Sequence, residues 1–384
     1  MEIEKLKKQF VQLYQQEPLV VKSPGRVNII GEHTDYNNGF VLPAAIDKAA
    51  YLAIALRDDD EIHLSALDLN EHFKIHIKDL KPIGDISWPN FILGVVAQFI
   101  KKGITLKGFN AALLSDVPIG AGLSSSAAIE CATVFALNEL LQTNLDRMTM
   151  VHMAQKAEHE YAGVLCGIMD QFASMFGKKD QVILLDCKTM HYQYYPLKLS
   201  NYDIVLLDTQ IKHALASSEY NTRRAECEQG ISLIQQRYPS TKSLREVSMD
   251  MLNECVDSSQ MTKVYNRCKY VIAEIERTQA AAKDLQEGQL AAFGQKMFAT
   301  HDGLSLLYEV SCPELDFLVK EVKDNPNVIG ARMMGGGFGG CTINLIKKEA
   351  TASVVQKLVA SYQNMFQKSL QHYIVAISDG TGLV

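Results

Sequence analysis

Zinc-type spacing is missing from this chain. None of its eight cysteines forms a Cys-x-x-Cys pair, and none of its ten histidines belongs to a His-Glu-x-x-His run. The common short metal motifs are thereby excluded. Cysteines scattered singly through 384 residues fit reduced thiols and a cytoplasmic location. A basic excess is missing too. The formal net charge is −6, with both signs interspersed, so there is no electrostatic footprint for nucleic acid. The longest apolar stretches, such as Phe91 to Ile100, are too short to span a bilayer. Met1 to Gln16 lacks a signal-peptide pattern; Ile3, Leu6, Phe10 and Leu13 instead predict one face of an amphipathic helix. No linker rich in Gly or Pro, no internal repeat and no low-complexity tract interrupts the chain. A chain too long for one typical core is then expected to form two tightly packed domains.

Two familiar phosphate loops are also lacking, and a third kind stands in their place. In Asp116 to Glu130, Gly120-Ala121-Gly122-Leu123 leads into Ser124-Ser125-Ser126. No Gly-Lys-Ser/Thr follows at Walker A spacing, and Ser125 occupies the third glycine position of a dinucleotide fingerprint. Phe109 to Leu114 reads as a strand end and Ala127 to Leu141 as a helix, with Ala128, Cys131, Val134, Phe135 and Leu137 close to helical spacing. A glycine-rich loop before a helix N-terminus offers unpaired N–H groups and the positive end of the dipole, with serine hydroxyls as further donors. One serine could merely cap the helix. Gly-x-Gly followed by three serines is harder to explain as capping and suits a polyphosphate.

The N-terminal part reads as a largely antiparallel sheet, with β-like runs at Leu19 to Lys22, Val27 to Ile30, Phe40 to Ile46, Tyr51 to Arg57, Glu61 to Leu67 and Phe73 to Ile77. After Val27 to Ile30, a turn packs Glu32, His33, Thr34 and Asp35 together, with Arg26 nearby. Such a cluster is either a solvated turn or a site for a polyhydroxylated ligand, whose hydroxyls need convergent donors and acceptors. A helix over Met148 to Tyr161 carries Glu158 near its end, where a carboxylate meets the negative end of the dipole. Asp170 sits among apolar residues and needs a partner, for which Arg26 is the candidate. Helical patterns dominate from about Ser217 to Lys323, and five glycines in six residues, Gly335 to Gly340, separate two β-like runs.

Three stretches carry a family resemblance. Pro24 to Asn37 resembles the signature of the galactokinase family. Pro118 to Ala128 is similar to the second motif of the GHMP small-molecule kinases, and Arg332 to Cys341 to their third. They occur in the expected order, and the resemblance spans nearly the whole chain. It implies an α+β, two-domain GHMP kinase fold with mixed and antiparallel sheets, helices and an active site between the domains. Residues 1–195 would form the first domain and 196–384 the second, the last strand rejoining a sheet. The implied reaction moves the γ-phosphoryl group of ATP to the anomeric hydroxyl of galactose, in galactose catabolism, with Mg²⁺ as the metal.

The resemblance also assigns residues. Asp170 and Arg26 become catalytic. Asp170 acts either as a general base or as an orienting group that accepts the proton late, and Arg26 stabilises developing charge. Glu32, His33, Thr34, Asp35, Gly167 and Tyr220 would contact the sugar. Residues 120–126 would hold the phosphates, with Ser65 a further nucleotide contact or an ordinary strand serine, and Trp88 an aromatic near the adenine or a core residue. Ser126 and Glu158 would hold the metal, Glu160 being the neighbouring carboxylate most easily mistaken for it. A monomer is expected. Departures from the family pattern are Ala121 between the glycines and Met334 before the third motif; neither removes a named functional group. Two alternatives stand beside galactose phosphorylation: phosphorylation of N-acetylgalactosamine, and a non-catalytic galactose and ATP sensor.

Overall fold

The computed structural model describes residues 2–84, 88–118, 120–197, 199–211 and 216–384. Ile119, in the phosphate-loop stretch, lies outside the described residues.

Alternating apolar residues build a six-stranded sheet in the first half, ordered Gly382–Leu383, Leu19–Asn28, Pro43–Leu56, Phe109–Ser115, Glu61–Ala66 and Glu71–His76. Its pairings are antiparallel except that between Glu61–Ala66 and Phe109–Ser115. Period-two alternation sends Val21, Leu52 and Ala111 to one face and Val20, Ala53 and Ala112 to the other. The first face carries the helices Pro89–Lys101, Ser125–Leu141, Arg147–Ala157 and Met169–Phe176. The second carries Glu2–Tyr14 through Leu6 and Phe10. Leu13 departs from the predicted helix face and is exposed, while Tyr14 packs inward against Phe10.

Two runs read as separate strands, Leu19 to Lys22 and Val27 to Ile30, are one strand that ends at Asn28. Pro24-Gly25 did not break it, because a register shift between Pro24 and Arg26 absorbs the irregularity. Phe40–Val41 also pairs elsewhere, in a three-stranded sheet with Gln181–Asp186 and Tyr192–Pro196.

The second half holds a four-stranded antiparallel sheet, ordered Val328–Met333, Cys341–Lys347, Tyr202–Asp208 and Gln371–Val375. Ile204 and Leu206 face a core shared with Val27, Ile29 and Leu42 of the first half. Val205 and Leu207 face Leu318 and Leu358, on the helices Pro313–Lys323 and Thr351–Phe366. The chain end returns to the first half. Gly382–Leu383 pairs with Leu19–Asn28, as expected of a late strand, whereas Gln371–Val375 stays in the second sheet. Among the described residues no helix is long and apolar enough to cross a membrane.

Candidate active site

The strand Leu19–Asn28 brings Arg26 to the junction of the two halves, and Gly25 lets the glycine-rich loop reach it. A Cβ at Gly25 would lie 2.7 Å from the Leu123 carbonyl oxygen. That carbonyl accepts the Arg26 backbone N–H at 3.1 Å, and Arg26 Nη1 donates to the Gly122 carbonyl at 2.6 Å. The loop turns through left-handed backbone at Gly120, Gly122 and Ser124, with φ of 81°, 73° and 57°. For Ser124 this is an uncommon conformation. Capping does not account for this serine. Ser124 stands at the cap position of the helix Ser125–Leu141 but makes no side-chain cap hydrogen bond; its hydroxyl donates to Asp170 instead. The first N–H groups of that helix are left without a side-chain cap beside a cavity of about 300 Å³ lined by Gly120, Gly122, Leu123, Ser124, Ser125 and Ser126. Ala121, between the two glycines, is buried and is not among the cavity-lining residues.

Across the same cavity stand Arg26, Glu32, His33, Asp35, Gly167, Asp170 and Tyr220. Arg26 grips Asp170 in a two-pronged pair, Nε to Oδ1 at 2.8 Å and Nη2 to Oδ2 at 2.8 Å. Such planar pairing fixes both side chains as well as joining their charges. Asp35 packs so closely on Gly167 that a Cβ there would fall 1.6 Å from Asp35 Oδ2. Burial pushes the Asp35 carboxyl up to about 7, with the Asp170 carboxylate adding to the effect. Burial holds the His33 imidazole down at about 4, so it is neutral at pH 7. His33 adopts left-handed backbone, φ 62°, and its Nδ1 pairs with the Tyr36 hydroxyl at 2.7 Å. The Tyr220 ring lies 5.3 Å from the His33 ring, and burial raises its phenol well above the ordinary value.

Glu158 lines the cavity next to Ser126, whose hydroxyl donates to Glu158 Oε1 at 3.0 Å. The predicted helix stops earlier than its pattern suggested: the α-helix ends at Ala157, and Glu158–Ala162 forms a π-helical turn that turns Glu158 inward. Glu160 points outward to Lys101 at 2.5 Å and Gln98 at 2.6 Å, the ordinary surface pairing. Among the described residues, the hydrogen-bond partners of Glu158 are all neutral: Ser126, Cys166 and Gln171. Burial, with the Asp170 carboxylate second, raises its carboxyl to about 7. A hydroxyl and a charge-starved carboxylate facing a phosphate loop fit Mg²⁺, which takes few protein ligands and fills its shell with phosphate oxygens and water.

Two further predicted contacts, Thr34 and Ser65, fall outside the cavity lining as well. Thr34 is fully buried and its hydroxyl serves the Gly31 and Phe40 carbonyls, 2.9 and 2.6 Å away. It closes the turn and does not line the cavity, because the turn's own carbonyls need the donor. Ser65 lies on the Glu61–Ala66 strand, bonded to Tyr14 at 2.7 Å and to His72 Nδ1 at 2.8 Å, and is not among the cavity-lining residues. Trp88 donates to Glu71 at 2.7 Å.

Sequence reasoning missed the residues that hold the Glu32–Asp35 turn from behind. Arg332 is fully buried and donates to the Ile29 carbonyl at 2.8 Å, the Met333 carbonyl at 2.6 Å, the Asn28 carbonyl, and Glu32 Oε1 at 3.1 Å. Gly335 N–H donates to the same Glu32 oxygen at 2.8 Å. Tyr270 donates to the Glu32 carbonyl at 3.0 Å, and the Gly31 N–H donates to Glu274 at 3.0 Å. In the sequence Arg332 reads only as a member of its motif; nothing local signals that Asn28, Ile29 and Glu32, some three hundred residues away, are its partners.

Known proteins match this arrangement. The GHMP kinases N terminal domain model covers residues 90–178 and the GHMP kinases C terminal model residues 281–364. The mevalonate kinase of Methanococcus jannaschii shares the fold, with a TM-score of 0.63 at 17% identity over 95% of this chain and 100% of that one. Fold and phosphate loop thus define a GHMP-type small-molecule kinase. The galactokinase galactose-binding signature covers residues 8–56. The galactokinase of Thermotoga petrophila is 41% identical over 94% of this chain and 98% of its own, and that of a Roseiflexus species 38% identical over 99% and 96%. The crystal structure of Lactococcus lactis galactokinase complexed with galactose superposes with a TM-score of 0.95 at 32% identity, over 100% of both chains. The chain belongs to the galactokinase family.

Proposed function

We propose that this cavity transfers the γ-phosphoryl group of ATP to the anomeric hydroxyl of α-D-galactose, giving galactose 1-phosphate. The observation that carries the reading is the position of the Arg26–Asp170 pair. It lies between the phosphate loop, bonded to it through Gly122 and Ser124, and the Glu32–Asp35 turn, all on one cavity.

In this reading the backbone N–H groups of residues 120–126 hold the β- and γ-phosphates, in the manner of a helix N-terminus that binds anions. Asp35, neutral His33, Tyr220 and the Gly167 backbone receive the sugar hydroxyls, and Glu32 closes that side. Asp170 accepts hydrogen bonds from Arg26 and Ser124 on both its oxygens. That engagement suits orientation of the anomeric hydroxyl and late acceptance of its proton, in keeping with a loose transition state in which positioning and charge stabilisation dominate. Arg26 neutralises charge that develops on the transferred group. Ser126 and Glu158 would hold Mg²⁺, which when bound offsets phosphate charge. Residues 1–195 and 196–384 are taken as the two domains, and the protein as a cytoplasmic monomer.

The test couples ADP release to NADH oxidation with ATP, Mg²⁺ and either sugar. Turnover on galactose, abolished by EDTA, is expected. Turnover on N-acetylgalactosamine alone would overturn the substrate. No turnover on either, with galactose binding still visible by calorimetry, would make the protein a sensor.

A further inference from the structure

Behind Glu158 lies a buried polar layer that the reaction scheme leaves unused. Gln171, on the helix Met169–Phe176, is fully buried. Its Nε2 donates to Glu158 Oε2 at 2.7 Å and to Glu130 Oε2 at 3.1 Å. Glu130 is likewise fully buried, on the helix that begins at the phosphate loop. One amide thus bridges two carboxyl groups from two helices, and the cavity-facing carboxyl is held from both sides, Oε1 by Ser126 and Oε2 by Gln171.

A freely rotating Glu158 would present its oxygens to the cavity only part of the time. We propose that Gln171 is a positioning residue that fixes the Glu158 carboxylate for metal binding, and that Glu130 in turn fixes Gln171. The inference rests on the reading of Ser126 and Glu158 as the metal ligands. Two side chains with no cationic partner among the described residues are costly to bury for packing alone, and groups that orient metal ligands set affinity strongly. Burial, together with the Glu158 charge, raises the Glu130 carboxyl well above its ordinary value.

The test measures Mn²⁺ with ADP bound to the full chain, by electron paramagnetic resonance, and galactose binding by calorimetry without nucleotide. Gln171→Met, which removes both donors at similar volume, is expected to weaken Mn²⁺·ADP about 10–100-fold and to leave galactose affinity within about twofold. Gln171→Glu, closest in shape, should show the same split. Glu130→Gln, which keeps an acceptor for the Gln171 amide, should lose less than Glu130→Leu. Unchanged Mn²⁺·ADP affinity in the Gln171 variants overturns the inference, as does an equal loss of galactose affinity. Glu158→Gln separates the two readings. If it leaves Mn²⁺·ADP binding intact, the metal site itself is wrong; if it weakens binding while Gln171→Met does not, only the positioning role fails.

Discussion

Asp170 and Asp35 share one cavity but have different surroundings, and the difference divides their work. Asp170 sits on a guanidinium, whereas burial near a like charge raises the Asp35 carboxyl. Asp170→Asn keeps the shape and removes the charge that Arg26 grips. It is expected to lower kcat by at least about a thousandfold, with galactose affinity by calorimetry changed only a few-fold. Wild-type-like kcat would end the assignment. Asp35 predicts a pH effect of definite sign. Its folded-state value of about 7 lies above the ordinary 3.8, so the folded protein holds that proton more tightly than the unfolded chain. The resulting stability is fully present below about pH 4 and lost as pH rises through 7. Between pH 5 and 7.5 the wild type should lose on the order of 2 kcal/mol relative to Asp35→Asn. Urea unfolding of both proteins at the two pH values measures this; parallel profiles would contradict it.

At the scale of elements, loops supply much of the cavity lining and the strands and helices hold them at a set separation. Gly167 shows the tolerance. With Asp35 Oδ2 at 1.6 Å from any added Cβ, Gly167→Ala must displace the Asp35 carboxylate. The galactose KM should rise at least about tenfold while the KM for ATP moves little, since the phosphate loop is untouched. Equal rises in both would mean a general distortion. Much of this level was legible beforehand. The Gly120–Ser126 loop with its flanking strand and helix follows from local pattern, and the Arg26–Asp170 pair from the cost of a lone buried carboxylate; that Glu158 and not Glu160 lines the cavity follows from the family resemblance. What was not legible depends on backbone geometry and sheet register, which a pattern of side chains does not carry. Thr34 looked like a ligand because it stands among Glu32, His33 and Asp35, which line the cavity, yet the turn's own carbonyls claim its hydroxyl. Leu19–Asn28 looked like two strands because Pro24-Gly25 usually punctuates, and only the sheet register shows the irregularity absorbed. The π-helical turn at Glu158 leaves no mark in the periodicity.

At the scale of the molecule, the two halves share one apolar core and one buried arginine. Val27, Ile29 and Leu42 pack with Ile204, Leu206 and Ile343, and Arg332 crosses between them to the end of the Arg26 strand and to Glu32. The third motif therefore supports the Glu32–Asp35 turn as well as lying beside the Gly120–Ser126 loop. Arg332→Met would strand Glu32 and three carbonyls, costing about 3–5 kcal/mol. Because the core is shared, urea unfolding should remain one transition at a lower midpoint; separate transitions for the halves would contradict this. The two-domain class was legible from length and motif order. The clamp was not, since a motif names its residues without naming their partners. The central claim is that these parts place one sugar hydroxyl in line with the γ-phosphate. Phosphorus NMR of the product made from galactose and ATP tests it most directly. The phosphorus resonance is predicted to couple to the anomeric proton; coupling to a proton elsewhere on the sugar, or no phosphorylated sugar at all, would contradict the account.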